Sequence, residues 1–182
     1  NSAVPLSTQT GEKKTATGNV GQPFLGLQVA LSADGNTAAV GGSSDNDDAG
    51  SVWIFTKVNG FWTQQGPKLE GFQRSGTPSF GIGLALSADG NTLAAGGPAD
   101  GFYSGAVWVF TRSGSVWSPQ GNKLVPSGAT SLAGFGTSLS LSADGNTLLA
   151  GASGESGNGA GWIFVRNSGI WSQQAKLSPL VA

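Results

Sequence analysis

The sequence predicts an all-β chain of three four-stranded antiparallel propeller-type blades, and three observations carry that prediction. A unit of 55 residues is written three times, apolar residues alternate within it at a period of two, and hairpin-turn residues recur at fixed places. Ser-Ala-Asp-Gly-Asn-Thr stands at 32–37, 87–92 and 142–147. Repeats on this scale mark solenoids, propellers or arrays.

The elements of one unit follow in order. Leu27, Val29 and Leu31 alternate with Gln28, Ala30 and Ser32, the pattern of a strand. Ala33-Asp34-Gly35-Asn36 then supplies a tight hairpin, because Asp-Gly and Asn accept positive φ at little cost. Residues 37–41 return as a short strand of small side chains, and 43–49 form a looser loop. Residues 51–56, rich in β-branched and aromatic side chains, make the third strand. Its near-continuous apolar run, Val52 to Phe55, implies cover on both faces. Val58-Asn59-Gly60 is a second hairpin signal, and 61–65 the fourth strand. The later copies keep Val107-Trp108-Val109-Phe110 with Trp117-Ser118-Pro119-Gln120, and Gly161-Trp162-Ile163-Phe164 with Trp171-Ser172-Gln173-Gln174. Four such strands make a blade. The chain divides into an N-terminal segment 1–23 and blades over 24–78, 79–133 and 134–182.

Three blades leave two open apolar faces, whereas propellers close with four to eight. Residues 6–14 look like a degenerate copy of the outer strand: Thr8-Gln9, Gly11 and Lys13 fall 55 residues before Thr63-Gln64, Gly66 and Lys68. The last blade owns its outer strand, so that copy is surplus within one chain. Three completions stay open: a longer array, a closed oligomer such as two chains in a six-bladed ring, or an open-ended fibre.

Composition narrows the function. The chain of 182 residues has 9 basic and 10 acidic side chains, spread along its length. No basic stripe exists to neutralise phosphates, which argues against nucleic acid. No apolar run is long enough for a membrane-spanning helix. An Asn at position 1, no Met, few charges and much Gly, Ser, Thr and Asn suggest a secreted, extracellular protein after removal of a signal segment.

With no His and no Cys, neither a Ser-His nor a Cys-His nucleophile can be built, and zinc lacks nitrogen and sulfur ligands. Carboxylates remain. Asp34, Asp89 and Asp144 recur once per unit and read as hairpin formers, with repeated cation or sugar sites as the alternative. Asp45, Asp47 and Asp48 form a second cluster, which could hold a cation with Asn46 or serve as a solvated acidic loop. The six Trp residues fall into two rows. Trp53, Trp108 and Trp162 read as packing between blades, while Trp62, Trp117 and Trp171 on the outer strands are candidate sugar platforms. Phe102 and Tyr103 are candidate exposed aromatics in a loop. Lys68, Lys123 and Lys176 recur as protection of the outer edge.

Phe80-Gly81, Phe135-Gly136, the small pairs Gly41-Gly42, Gly96-Gly97 and Gly151-Ala152, and the Gly-x-Val-Trp-x-Phe strand resemble the FG-GAP repeats of integrin α-subunit heads and bacterial secreted proteins. The likeness covers about 150 residues and departs from the pattern at Leu25, where an aromatic should stand. It implies a propeller fold and, by analogy, binding or adhesion. Calcium-binding repeats of that family carry several acids in the loop after the first strand. One carboxylate per loop here falls short of the six to eight oxygens Ca²⁺ takes.

The expectation is a non-enzymatic secreted binding or adhesion protein recognising glycans or cell-surface protein multivalently through Trp62, Trp117, Trp171, Phe102 and Tyr103. The alternative is a structural subunit of an extracellular filament, joined through open blade faces and the N-terminal strand. Neither needs a cofactor, and both make copies of the chain its partners. An enzyme working through paired carboxylates has only Asp47 and Asp48, adjacent and unrepeated, to stand on.

Overall fold

The computed structural model describes residues 11–180. Thirteen strands form three antiparallel sheets. The first contains β1 (Val29–Leu31), β2 (Thr37–Gly42), β3 (Ser51–Val58) and β4 (Phe61–Gln64), with β5 (Leu69–Glu70) beside the start of β3. The second is β6 (Gly83–Leu86), β7 (Thr92–Gly97), β8 (Ala106–Ser113) and β9 (Val116–Pro119). The third is β10 (Ser138–Leu141), β11 (Thr147–Ala152), β12 (Ala160–Asn167) and β13 (Ile170–Leu177). In each sheet the strands lie side by side in chain order, the arrangement of a propeller blade. Residues 6–10 of the proposed outer-strand copy lie outside the described residues, and Gly11 to Lys14 form no strand.

The hairpins form as their residues dictate. Asp34 Oδ1 accepts the Ser32 hydroxyl at 2.6 Å and the Asn36 N–H at 3.0 Å, and Asp89 and Asp144 repeat the arrangement. The hydroxyls of Ser32, Ser87 and Ser142 lower these three carboxyls, followed by the Asn groups, and Asp144 falls to about 2. These acids close turns.

Two apolar clusters lie between the blades. Ala39, Val52 and Ile54 of the first pack on Leu84, Leu93, Trp108 and Phe110 of the second. Ala94 and Val107 on the opposite face of the second pack on Phe135, Leu148, Trp162 and Phe164 of the third. Phe80 and Phe135 enter these clusters edge-on to Trp108 and Trp162, with ring centroids 5.4 and 5.7 Å apart. All three third-strand Trp residues are fully buried.

Small residues let the sheets approach this closely. A Cβ on Gly41 would run into the carbonyl oxygen of Gly81, and one on Gly96 into that of Gly136. Blade-to-blade backbone hydrogen bonds add a one-way ladder: Ala33 N–H donates to Ala88 O at 2.9 Å, and Ala88 N–H to Ala143 O at 3.0 Å.

Candidate functional site

The loops between the second and third strands and the linkers between blades share one end of the molecule, opposite the Asp-Gly hairpins. Each loop is anchored by a buried carboxylate that accepts a linker N–H and a lysine ammonium. Asp45 Oδ1 accepts the Val20 N–H at 2.7 Å, while Oδ2 accepts the Ser51 hydroxyl at 2.7 Å and the Lys68 ammonium. Asp100 takes the Ser75 N–H at 2.7 Å and Lys123 at 2.5 Å. Glu155 takes the Thr130 N–H at 2.9 Å and Lys176 at 2.7 Å. All three carboxylates are buried. Burial alone would raise Asp45 and Glu155, but the lysine and the donated hydrogen bonds hold both below the ordinary carboxylate range.

These latches correct two expectations. Asp45 belongs to the repeat, with Asp100 and Glu155 as counterparts, so Asp45, Asp47 and Asp48 do not act as one acidic cluster. Among the described residues no group of three acids could hold a metal ion. Lys68, Lys123 and Lys176 neutralise buried acids rather than guard an edge. The signal was in the sequence, because acid and lysine stand 23 positions apart in the first two units. The change to Glu155, and a separation shortened to 21, hid the third copy.

The outer Trp row is tied to the scaffold. Trp117 and Arg112 both donate to Gln65 Oε1 across the first blade boundary, at 3.0 and 3.2 Å. Trp171 and Arg166 do the same to Gln120 Oε1, at 3.0 and 2.9 Å. Each guanidinium also lies over its indole, 5.4 and 5.3 Å from the ring centroid. Trp117 and Trp171 are half-buried parts of staples between blades; Trp62, also half-buried, has no Gln partner among the described residues.

What differs between blades is the tip that each latch holds. The first tip is Asn46, Asp47 and Asp48; the second is Gly101, Phe102 and Tyr103; the third centres on Ser156 and Gly157. The first two tips turn in the left-handed region, with φ of 54° at Asp47, 56° at Phe102 and 66° at Tyr103. For bulky side chains that conformation is strained, and a rigid surround must impose it. Asp47 and Asp48 are exposed, Phe102 is 89 % exposed and Tyr103 63 %.

One linker joins the two tips. Gly101 N–H donates to Ser75 O at 3.0 Å, and Ser79 N–H to Asp48 O at 2.9 Å. Four residue steps separate those contacts, so the anchoring points lie at most ~14 Å apart. Exposed Arg74 stands beside them. Ser75, Gly76, Thr77, Ala99, Phe102 and Tyr103 line a cleft of about 220 Å³. Arg74 and Ser79 were missed by sequence reading because neither repeats nor belongs to a motif.

No family model matches the chain, and no curated protein matches it. Solved structures do. A Bacteroides fragilis protein, provisionally assigned as a 6-phosphogluconolactonase, matches at 16 % identity over 83 % of this chain with a TM-score of 0.59. A Bacteroides uniformis protein with the same provisional name matches at 15 % over 82 %, also at 0.59. Both are propeller-type folds, and that fold is what a likeness at this identity shows. The chain spans about two-fifths of their length, 38 % and 39 %. Their lactonase names correct the expectation of a non-enzymatic adhesion protein or filament subunit, which drew on lectins and integrin heads.

Proposed function

We propose that the chain supplies three blades of a hydrolytic propeller acting on a small polyhydroxylated lactone, with its site on the loop face between the first two blades. The observation that carries this reading is the divergence of the loop tips over a repeated latch. A scaffold that repeats its buried acid, its lysine and its linker contact, yet changes the residues it presents, concentrates chemistry at those residues. The lactonase names of the two structural neighbours give the reaction class.

The roles follow from chemistry. A carboxylate at Asp47 or Asp48 takes a proton from the attacking water. Arg74 faces the negative charge of a phosphate or of the tetrahedral oxyanion. The rings of Phe102 and Tyr103 cover the apolar face of the sugar. The 220 Å³ cleft lies a little below the range of about 300–1,000 Å³ usual for a small-molecule site. Hydrolysis of δ-gluconolactone and its 6-phosphate, followed as proton release above the spontaneous rate, tests the reading. Turnover that falls at least ~10²-fold in the Asp47→Asn, Asp48→Asn double variant supports it. A folded protein without turnover on either lactone ends it.

A further inference from the structure

We propose that the exposed face of the third blade receives the first blade of a second copy of this chain, and that two copies close head to tail into a six-bladed ring. Whatever the protein acts on, the blade boundary occurs twice within the chain, and every component of a third is left unmatched at the two outer blade faces.

Three sets of groups are left over. The first is backbone. In the ladder from Ala33 to Ala88 to Ala143, the Ala143 N–H has no acceptor and the Ala33 carbonyl no donor among the described residues. One end keeps the missing donor, the other the missing acceptor.

The second is space left for close approach. Gly81 and Gly136, with φ of 94° and 91°, press their carbonyls against Gly41 and Gly96. Gly26 has the same conformation, φ 99°, yet a Cβ there would meet nothing within 4 Å. At Gly151, counterpart of Gly41 and Gly96, a Cβ would first meet Ser138 of its own blade rather than the backbone of a neighbour. Gly90 and Gly145 likewise face Thr37 and Thr92 of the preceding blade, while Gly35 faces open space. The third is the staple. Gln174, counterpart of Gln65 and Gln120, is exposed and makes no side-chain hydrogen bond among the described residues. Trp62 and Lys57 on the first blade occupy the places of Trp117 and Arg112.

The apolar surface agrees. Val29 is 60 % exposed whereas its counterpart Leu84, covered by a neighbour, is 3 % exposed. Leu149 is 43 % exposed whereas Ala94 is fully buried. Both ends therefore present apolar surface that the interior boundaries cover. Gly11, Glu12 and Lys14 line a groove with Lys57, Phe61 and Trp62, beside the place that the staple of a docked blade would take. Six blades fall within the range in which propellers close, and two head-to-tail contacts related by a two-fold axis leave no free face.

Light scattering behind a sizing column, on the 182-residue chain at tens of micromolar, reads the mass. Twice 18.2 kDa is the expected result. A monomer throughout the concentration range overturns the proposal, and particles growing with concentration overturn ring closure. Val29→Arg and Leu149→Arg, one on each face, are each expected to give monomers with unchanged far-ultraviolet dichroism. Mixed one to one, they regain a dimer, because each retains the face the other lacks. If only one substitution splits the dimer, or if mixing restores nothing, the contact is not head to tail. Should either variant lose its strand signal, Gln174→Ala provides the milder test, with an expected weakening of the dimer by about tenfold; an unchanged dimer would count against the stapled contact.

Discussion

The middle blade and its two neighbours have nearly the same sequence and the same strands, yet they live in different surroundings. Every residue of β7 is buried, and so are the first five of β8. In the third blade β11 alternates between exposed and buried, because only one of its faces has a neighbour. The first blade keeps Trp53 covered while β1 lies largely in the open. Burial of a strand in this molecule is decided less by its own composition than by whether another blade stands beside it. The apolar alternation is written for two neighbours everywhere and satisfied in full only in the middle.

That contrast can be broken at its tightest point. Gly96→Ala would drive a Cβ into the Gly136 backbone, which cannot yield without parting two sheets. Gly151→Ala meets a serine hydroxyl that can rotate. In the full chain studied as a monomer, urea unfolding is expected to show a loss of about 3 kcal/mol or more for Gly96→Ala and under about 1 kcal/mol for Gly151→Ala. Equal losses would mean that close approach is not what distinguishes the blades.

The latches offer the next comparison. Lys68→Met strands the Asp45 carboxylate, whose side chain has no exposure, at a cost of about 3 kcal/mol. Lys176→Met should cost less, since the Lys176 side chain is 31 % exposed and water can replace it. Denaturant midpoints of the two variants check the order.

A smaller effect should separate two tryptophans. Trp108 Nε1 donates to Phe72 O at 2.6 Å, whereas the buried Trp162 Nε1 has no partner among the described residues. Exchange for Phe should therefore cost about 1 kcal/mol more at 108 than at 162. Equal unfolding free energies for the two variants would remove the distinction.

Acidity acts on all three blades. Asp45 and Glu155 titrate lower in the folded chain than their ordinary values of 3.8 and 4.5, and Asp144 lies at about 2. The unfolded chain therefore binds more protons in this range, so the contribution is complete above about pH 4.5 and lost as pH falls through the folded values. Thermal unfolding from pH 6 down to pH 2 should show that decline, and Asp45→Asn should flatten it. An unchanged slope would mean the latches carry no linkage.

The blade count, strand order and turn residues were legible because each is local: the hexapeptide makes its own hairpin, and the period carries the rest. The buried acids were not, since Asp45 finds its lysine 23 residues away and sits beside two exposed aspartates that look like its partners. The staples that hold the outer tryptophans were hidden for a related reason. A row facing outward on its own blade is half-covered by the arginine beside it and the glutamine before it, and that neighbour is invisible at the level of one unit. The tips were visible only as irregularities, Asp47 and Asp48 on one loop, Phe102 and Tyr103 on another; the linker that ties them together was not visible at all.

The one-way ladder through Ala33, Ala88 and Ala143 gives the molecule a polarity. In the isolated monomer, a stack whose units touch only the unit before and the unit after melts as a row of coupled elements, from its ends inward. Amide exchange in such a row is slowest in the middle and quickens toward both termini, even where the hydrogen-bonded strands are the same. The middle blade is thus the kinetic anchor of the chain, and a further 55-residue unit spliced beside it would lengthen the protected stretch without requiring any new contact to be invented.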